Sequence, residues 1–345
     1  MCKISVVAPV YNMEKYIDQF LESIRKQTLD DFEVILIDDG STDSSPAALD
    51  QFAAVFSRCK VIHQENLGVC NARNNGIRHA QGEYLYIVDS DDWLAPNALL
   101  HLWRAAEETD ADVIYGQAYI EFGNTSELEK PFPAKFCTEN RDSLEEIQCS
   151  FNNKNLVRTD CPDFEYIDHL GGAPWRAMVR RKLLIDHEVV FDESLTLGED
   201  ILFWQNVYDH VKRAAYIEVP IYHYRVVTDS LSHGYKGNLL TTYQQVFEAE
   251  EAYLRSTEKG RIHWDAYYFR VLIHIHLSMY ALFLNPENPS RHAFRDFKQL
   301  LKTEPYRTAI QAVPLDKLLS KKTRLPILLL RRKQYRLYWL LRKRA

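Results

Sequence analysis

The first 120 residues carry short apolar runs at regular intervals, and these runs constrain the fold more than any other feature. Ile4–Ala8, Phe32–Ile37, Lys60–His63, Tyr84–Val88 and Val113–Tyr119 read as five strands. Between them, apolar residues return at helical spacing. Tyr16, Ile17, Phe20, Leu21 and Ile24 mark one helix. Ser45 and Pro46 read as an N-cap and a first helical position, opening a second helix to Phe56. Further helices are expected from about Val69 to His79 and from Pro96 to Glu108. Strands this apolar need cover on both faces, which implies an α/β fold with a mainly parallel sheet sandwiched by helices.

Sheets of that kind bind ligands beyond the carboxyl ends of their strands. Polar clusters stand at those ends: Tyr11-Asn12 after the first strand, Asp38-Asp39-Gly40-Ser41 after the second, and Asp89-Ser90-Asp91-Asp92 after the fourth. The last is the strongest chemical signal. Carboxylates in a cleft repel one another and any phosphate brought to them. A divalent cation removes that conflict, because Mg²⁺ and Mn²⁺ take oxygen ligands from one or two carboxylates together with substrate phosphates. The plainer alternative is a solvated turn with a helix N-cap, and for Asp38 and Asp39 a turn-forming Asp-Gly pair.

The rest of the chain is less legible. Residues 121–170 lose periodicity; a helix is expected near Arg180–Asp186 and another from Asp200 to about His210, just past Gly198. Ala215–Val219 and Ile221–Arg225 read as strands around Pro220, and from Leu239 onward the pattern is helical. The 345 residues are 46% hydrophobic and 26% charged, as in ordinary soluble globular proteins. Six cysteines show no CxxC pair and no metal-ligand spacing, and Met1 runs straight into the strand-like KISVVAP. Reduced thiols in a cytoplasmic protein are the expectation. From Lys317 to Ala345 there are eleven Lys and Arg and no acidic residue, so the net charge of −6 leaves −17 on the remainder. Such an acidic body argues against nucleic acid as a partner, while the tail suits an anionic one. No apolar run approaches the roughly 20 residues needed to span a bilayer.

Four segments, in order, resemble one family. ISVVAPVYNMEKYIDQFLESIRKQTLDDFEVILIDDGSTDSS, ENLGVCNARNNGI, GEYLYIVDSDDWLAP and GEDILFW together make the chain similar to family 2 inverting glycosyltransferases of the GT-A fold, a Rossmann-like mixed sheet. The likeness covers most of residues 3–225 and leaves the last 120 uncovered. It implies a GT-A domain over residues 1–235, with a donor half (1–120) and an acceptor half (121–235). A helical region over 236–345 with a basic tail from 317 would follow.

The resemblance also implies roles. Pro9, Val10, Tyr11, Asn12 and Glu14 match the loop that holds the nucleoside of a UDP-sugar donor. Asp39 matches the carboxylate that accepts the uracil N3–H; cytosine lacks that proton, so an acceptor here selects uridine by the cost of an unpaired buried group. Asn66 and Arg73 fall in the family's third donor-side segment, where Arg73 is equally a phosphate contact or a salt bridge to the sheet edge. Asp89 is expected near ribose and metal, and Asp91 on the Mn²⁺ or Mg²⁺ ion.

On the acceptor side, Asp200 matches the general base, with Glu199 orienting the acceptor; charge at a helix N-terminus is the alternative. Arg225 is expected on the diphosphate. His223, on the same strand face, would complete the metal sphere or sit in the core, and Trp175 would stack on an acceptor sugar or sit in the core. Leu325–Leu330 and Leu337–Leu341 alternate with basic residues, as in a segment that lies on an anionic membrane, or in a helix packed on the body.

The expected activity is transfer of a hexose or N-acetylhexosamine to a glycan or lipid-linked glycan in capsule or lipopolysaccharide synthesis. Rival readings are a non-catalytic nucleotide-sugar or glycan-binding module and a sugar nucleotidyltransferase. The latter carries a glycine- and arginine-rich loop near its N-terminus, which is missing here. A nicotinamide dehydrogenase would need a glycine-rich first turn where this chain has Ala8-Pro9-Val10-Tyr11-Asn12.

Overall fold

The structure is a computed structural model in which residues 2–152, 171–226, 239–284, 292–315 and 321–343 are described. The chain divides into two compact units, Met1–Gln148 with Thr159–Gly234, and Cys149–Arg158 with Tyr235–Ala345.

The first unit is built on one ten-stranded mixed sheet. Its strands are β1 (Ile4–Val10), β2 (Phe32–Asp39), β3 (Cys59–Gln64), β4 (Tyr84–Ile87), β5 (Trp93–Leu94), β6 (Val113–Phe122), β7 (Thr125–Glu129), β8 (Phe136–Thr138), β9 (Ala177–Arg180) and β10 (Ala214–Arg225). The order is β3-β2-β1-β4-β9-β6-β10-β5, with β7 beside β6 and β8 beside β10. β3, β2, β1 and β4 run parallel, as do β6 and β10, while β9 lies antiparallel between β4 and β6.

Strand alternation explains why both faces are covered. Ile4, Val6 and Ala8 of β1, with Val34 and Leu36 of β2 and Tyr84 and Tyr86 of β4, pack against Phe20 and Ile24 of α1 (Ile17–Arg25), Leu49 of α2 (Ser45–Val55) and Leu102 of α4 (Ala98–Thr109). The opposite face presents Val7 and Ile37 to α3 (Val69–His79). That helix approaches closely because Gly76 lacks a side chain: a Cβ there would lie 2.2 Å from Val7 Cγ1. Any larger residue would lift α3 from the sheet.

Two expectations are corrected. The two strands expected around Pro220 are one strand, β10, whose pairing with β6 shifts register on either side of Pro220. Proline has no N–H for the ladder, so the strand bulges there and continues. The second helix starts at Ser45 with Ser44 at the cap position, and Ser45 Oγ instead accepts the Met13 N–H at 2.8 Å. β5, β7, β8, β9 and α5 (Arg141–Ser150) carry no sequence signal strong enough to have been expected. They complete this unit with α6 (Arg181–Asp186) and α7 (Glu199–Tyr208).

The second unit is helical: α8 (Leu239–Ser256), α9 (Arg261–Ser278), α10 (Ala293–Leu300), α11 (Tyr306–Ala312), α12 (Lys321–Arg331) and α13 (Tyr335–Lys343). Tyr243, Phe247, His274 and Tyr306 form its aromatic centre, beside a part-buried Arg270–Glu250 ion pair of 2.8 Å. The basic tail packs here by one face. Ile327, Leu330 and Tyr338 are buried, Tyr338 stacks on Phe297, and Arg331 donates to the carbonyls of Ile310, Gln311 and Val313. Beside that packed face, α13 leaves Leu337, Leu340 and Leu341 exposed. Among the described residues no helix is long and apolar enough to cross a membrane.

Candidate functional site

The loops after β1 and β2 are stitched together. Asn12, at φ 54°, donates its N–H to Ser41 Oγ (3.0 Å) and accepts from the Thr42 N–H (2.8 Å). Glu14 donates its N–H to Asp43 (3.0 Å) and accepts from the Ser44 hydroxyl (3.2 Å). Asn12 and Glu14 therefore shape this rim through bonds to the neighbouring loop. Val10 is buried beneath it, Tyr11 is 44% exposed, and the Pro9 carbonyl accepts the Ser90 hydroxyl at 2.7 Å. That last bond joins the rim to the acidic turn after β4.

The two aspartates closing β2 do different work. Asp38 accepts the Ser41 N–H (3.0 Å) and holds His63 Nδ1 (2.8 Å), which pushes the His63 pKa up; it orders its own turn. Asp39, 4% exposed, accepts from Gln64 Nε2 (2.8 Å) and from the N–H groups of Leu67 and Gly68 (both 2.9 Å). An ionised carboxylate has about four acceptor positions, so one remains for a ligand donor. Asn66 stands exposed in the same β3–α3 loop.

The Asp89–Asp92 turn is braced from β10. The Tyr222 hydroxyl accepts the Asp89 N–H at 3.0 Å, the Arg225 N–H donates to Asp92 Oδ1 at 2.7 Å, and Arg225 Nε donates to the Asp91 carbonyl at 2.8 Å. Burial and the nearby Asp89 charge push the Asp91 carboxyl up to about 6. Asp92 is 1% exposed with Oδ2 unpartnered, and burial, then Asp91 and Asp89, hold its pKa well above the usual range.

These carboxylates fit a divalent cation, whose charge would relieve the mutual repulsion that raises them. Among the described residues no group of three His, Cys, Asp or Glu could hold a metal alone. Two carboxylates completed by substrate phosphates is the pattern usual for Mg²⁺. The His223 Nδ1 lies 2.6 Å from Glu121 Oε1, and its half-buried ring stacks on Trp93 and Tyr119. Arg225 shares the Trp93 face, lies against Tyr16, and donates Nη2 to Gln19 (2.6 Å), so much of its hydrogen bonding is spent on protein.

Glu199 and Asp200 open α7. Asp200 sits against Gly172, where a Cβ would come within 2.8 Å of its Cγ, so only glycine leaves room for that carboxylate. Asp200 Oδ1 also accepts the Ile201 N–H at 2.7 Å. Glu199 reaches across to α3: Arg73 donates Nη1 to Glu199 (3.0 Å) and Nη2 to Asp89 (2.9 Å). Burial works against the Arg73 charge, but Asp89 and Glu199 outweigh it and raise its pKa. Arg73 thus bridges carboxylates of the acidic turn and of α7. Trp175 is a core residue here rather than an exposed sugar platform: it is 3% exposed, with its ring on Tyr222 at 4.6 Å and on Tyr224 at 5.5 Å.

The carboxyl ends of β1, β2 and β4 and the start of α7 thus carry bonded acidic groups whose sequence pattern is that of a known family. The family model for Glycosyl transferase family 2 matches residues 5–186. The chain belongs to glycosyl transferase family 2. EpsH of Bacillus subtilis (strain 168), classed as a glycosyltransferase, is 32% identical over 74% of this chain and 70% of its own length. The poly(ribitol-phosphate) beta-glucosyltransferase of Bacillus spizizenii is 30% identical over 66% of this chain and 33% of its own. Among solved structures, S. aureus TarS 1-349 matches with a TM-score of 0.67 and 22% identity, covering 99% of this chain and 90% of that one. Its complex with UDP-GlcNAc matches at 0.61 and 21%. At such identity the likeness establishes the GT-A type of fold.

Within this family 2 glycosyltransferase, sequence reading missed Tyr222 and Gln64. Tyr222 alternates with His223 and Arg225 along β10, so its inward direction was readable, but not that its hydroxyl would meet the backbone of Asp89. Gln64 ends β3 opposite Asp39 in the parallel register, a neighbour relation that only the sheet creates.

Proposed function

We propose that this glycosyltransferase is metal-dependent and inverting, and that it moves a hexose or N-acetylhexosamine from a UDP-sugar to an acceptor hydroxyl. The observation that carries the reading is the Arg73 bridge, which ties a carboxylate of the acidic turn, Asp89, to a carboxylate at the head of α7, Glu199. In this reading it joins what would be the donor and acceptor sets of the family pattern.

In this reading Asp39 takes the uracil N3–H at its remaining acceptor position, and the rim from Pro9 to Glu14, with Asn66, encloses the nucleoside. Asp89 and Asp91 would hold Mn²⁺ or Mg²⁺, which would stabilise charge on the departing diphosphate. Arg225 steadies the turn and offers its remaining N–H groups to that diphosphate. Asp200 takes the proton of the acceptor hydroxyl as its oxygen bonds to the anomeric carbon and the bond from that carbon to the diphosphate oxygen breaks. One displacement inverts the anomeric configuration. TarS, whose fold this chain shares, has been crystallised with UDP and with UDP-GlcNAc, which supports a uridine donor.

The acceptor in this proposal is a glycan or lipid-linked glycan of a bacterial surface polysaccharide, capsule or lipopolysaccharide. The enzyme would work in the cytoplasm at the inner face of the cell membrane. Support comes from α13, whose exposed side carries Leu337, Leu340 and Leu341 at helical spacing with Arg336 and Lys343 beside them. Leucines entering the acyl boundary with cations at the headgroups is the arrangement of an interfacial helix. The direct test is a screen of UDP-, GDP- and CDP-sugars for release of nucleoside diphosphate with Mn²⁺, Mg²⁺ or chelator, followed by NMR of the product anomer. Turnover that ignores chelation, or a retained configuration, would refute the mechanism.

A further inference from the structure

Arg73 sits on a helix that touches both halves of the proposed site, and the contacts on either side form a pattern. At the start of α3, the Leu67 and Gly68 N–H groups bind Asp39, and the side chains of Asn71 and Asn75 bind Gln64, itself a donor to Asp39. The other side of α3 grips the chain leading into α7. Asn74 both donates to the Phe191 carbonyl (2.8 Å) and accepts the Phe191 N–H (2.9 Å), as a paired strand would. Asn71 and Asn74 bind Glu193, and Cys70 donates to the Leu195 carbonyl. Arg73 closes the series at Glu199, 5% exposed and with Phe191 under its guanidinium. The run Phe191–Glu199 is thereby fixed to the helix that also fixes Asp39.

We propose that Arg73 is a positioning residue that registers the first turn of α7 against the acidic turn, so that Asp200 is presented to the reacting hydroxyl at a set place relative to Asp89. Its planar fork is what permits this, since two N–H groups point to two carboxylates on separate elements. A phosphate contact is not needed to explain its burial. The proposal rests on the reading of Asp200 as the base, and the test is chosen so that the two can fail separately.

The probe is hydrolysis to water, with Mn²⁺ and no acceptor, of whichever of UDP-glucose, UDP-galactose and UDP-GlcNAc the unaltered chain turns over fastest. Water then takes the place of the acceptor hydroxyl, so a residue that merely touches the acceptor is silent. Arg73→Lys keeps the charge but loses the fork, and should lower kcat about 10²-fold, the loss expected from a misplacement of order 1 Å. Affinity for UDP, by calorimetry, should fall far less than the rate does, since in this reading Arg73 reaches the donor site only through Asp89. Glu199→Gln should slow hydrolysis similarly, and the double variant should be no slower than the slower single one.

Multiplying losses would overturn the proposal, because Arg73 would then not act through Glu199. So would a loss of UDP affinity that tracks the loss of rate, which makes Arg73 a phosphate ligand. If Arg73→Lys does not fold, Glu199→Gln alone decides: normal hydrolysis by that variant ends the idea. Retained activity in Asp200→Asn, with the Arg73–Glu199 coupling intact, would remove Asp200 as the base but leave Arg73 positioning whatever group replaces it.

Discussion

Replacing Asp39 tests the donor pocket and its architecture together. In Asp39→Ala three donors lose their acceptor: Gln64 Nε2 and the N–H groups of Leu67 and Gly68. Gln64 keeps Asn71 as a partner. The two backbone groups lie in a part-buried loop that water reaches, so each should cost near the lower end of the usual ~1–3 kcal/mol, about 2 kcal/mol together. For a unit of this size that lowers Tm by about 4–8 °C, before any ligand is added. UDP affinity should fall by a further 1–3 kcal/mol, about 5- to 150-fold, if the remaining acceptor position of Asp39 takes the uracil N3–H. Discrimination against CDP should shrink with it. Asp39→Asn keeps one carbonyl oxygen for the loop and should melt between the parent and the alanine variant. Scanning fluorimetry reads the first effect, and calorimetry with UDP and CDP in Mn²⁺ reads the second. An unchanged melting temperature would refute the assigned bonding. An unchanged UDP-to-CDP ratio would refute the uridine reading even if Tm falls as expected.

Further outcomes follow from the structure. Asp91→Ala should abolish transfer and manganese-dependent UDP binding without unfolding the chain; because the Asp91 pKa is raised to about 6, protons should compete with the cation in the parent, so Mn²⁺ affinity should fall about tenfold per pH unit below that value. The metal-free protein should show the opposite trend, since a carboxyl with a raised folded pKa adds stability at low pH and loses it as pH rises through about 6. Asp200→Asn should reduce transfer by about 10²–10⁴-fold with UDP and metal binding hardly altered, and loss of UDP affinity would move Asp200 to the donor side. Leu337, Leu340 and Leu341 changed together to serine should leave soluble turnover intact and weaken flotation with anionic vesicles; unchanged binding would refute the interfacial role of α13. Deleting the tail is the poorer test, because Tyr338 packs on Phe297.

The legible part of the fold was the part whose residues satisfy themselves locally. β1, β2 and β4 are buried on both faces, and that burial writes an unbroken apolar run into the sequence. α3 was readable end to end, because Val69 to His79 keeps its inward residues at helical spacing. β9 and β5 escaped notice because their partners, not their composition, make them strands. Ala177–Arg180 is only four residues inserted between β4 and β6, and Trp93-Leu94 pairs with the far end of β10. β10 shows a further limit. Proline marks an interruption in a ladder, and the sequence does not say whether the chain stops there or steps over it.

For the candidate site, sequence spacing locates carboxylates but not the counter-charges that make them tolerable. Asp39 and Asp91 were recognisable by their place at strand ends. Arg73 was ambiguous, because an arginine near phosphate-binding segments and an arginine between carboxylates look alike in one dimension. Its burial in the fold adds an energetic argument. A guanidinium 5% exposed to water needs anions already in place, and Asp89 and Glu199 supply two at hydrogen-bond distance. Removing either would leave a buried charge half-paired, a state that costs several kcal/mol in typical proteins, about 3–5 when one partner is lost outright. The bridge is therefore part of the folded state, present before any donor arrives. A cation bound at Asp89 and Asp91 would meet an Asp89 whose charge is already shared with Arg73, which lowers the charge that Asp89 offers to metal. Asp91 instead carries a raised pKa, because burial and the Asp89 charge disfavour its ionised form. That asymmetry is the physical reason to expect the cation to depend more on Asp91 than on Asp89, and substitution of the two should weaken Mn²⁺ binding in that order.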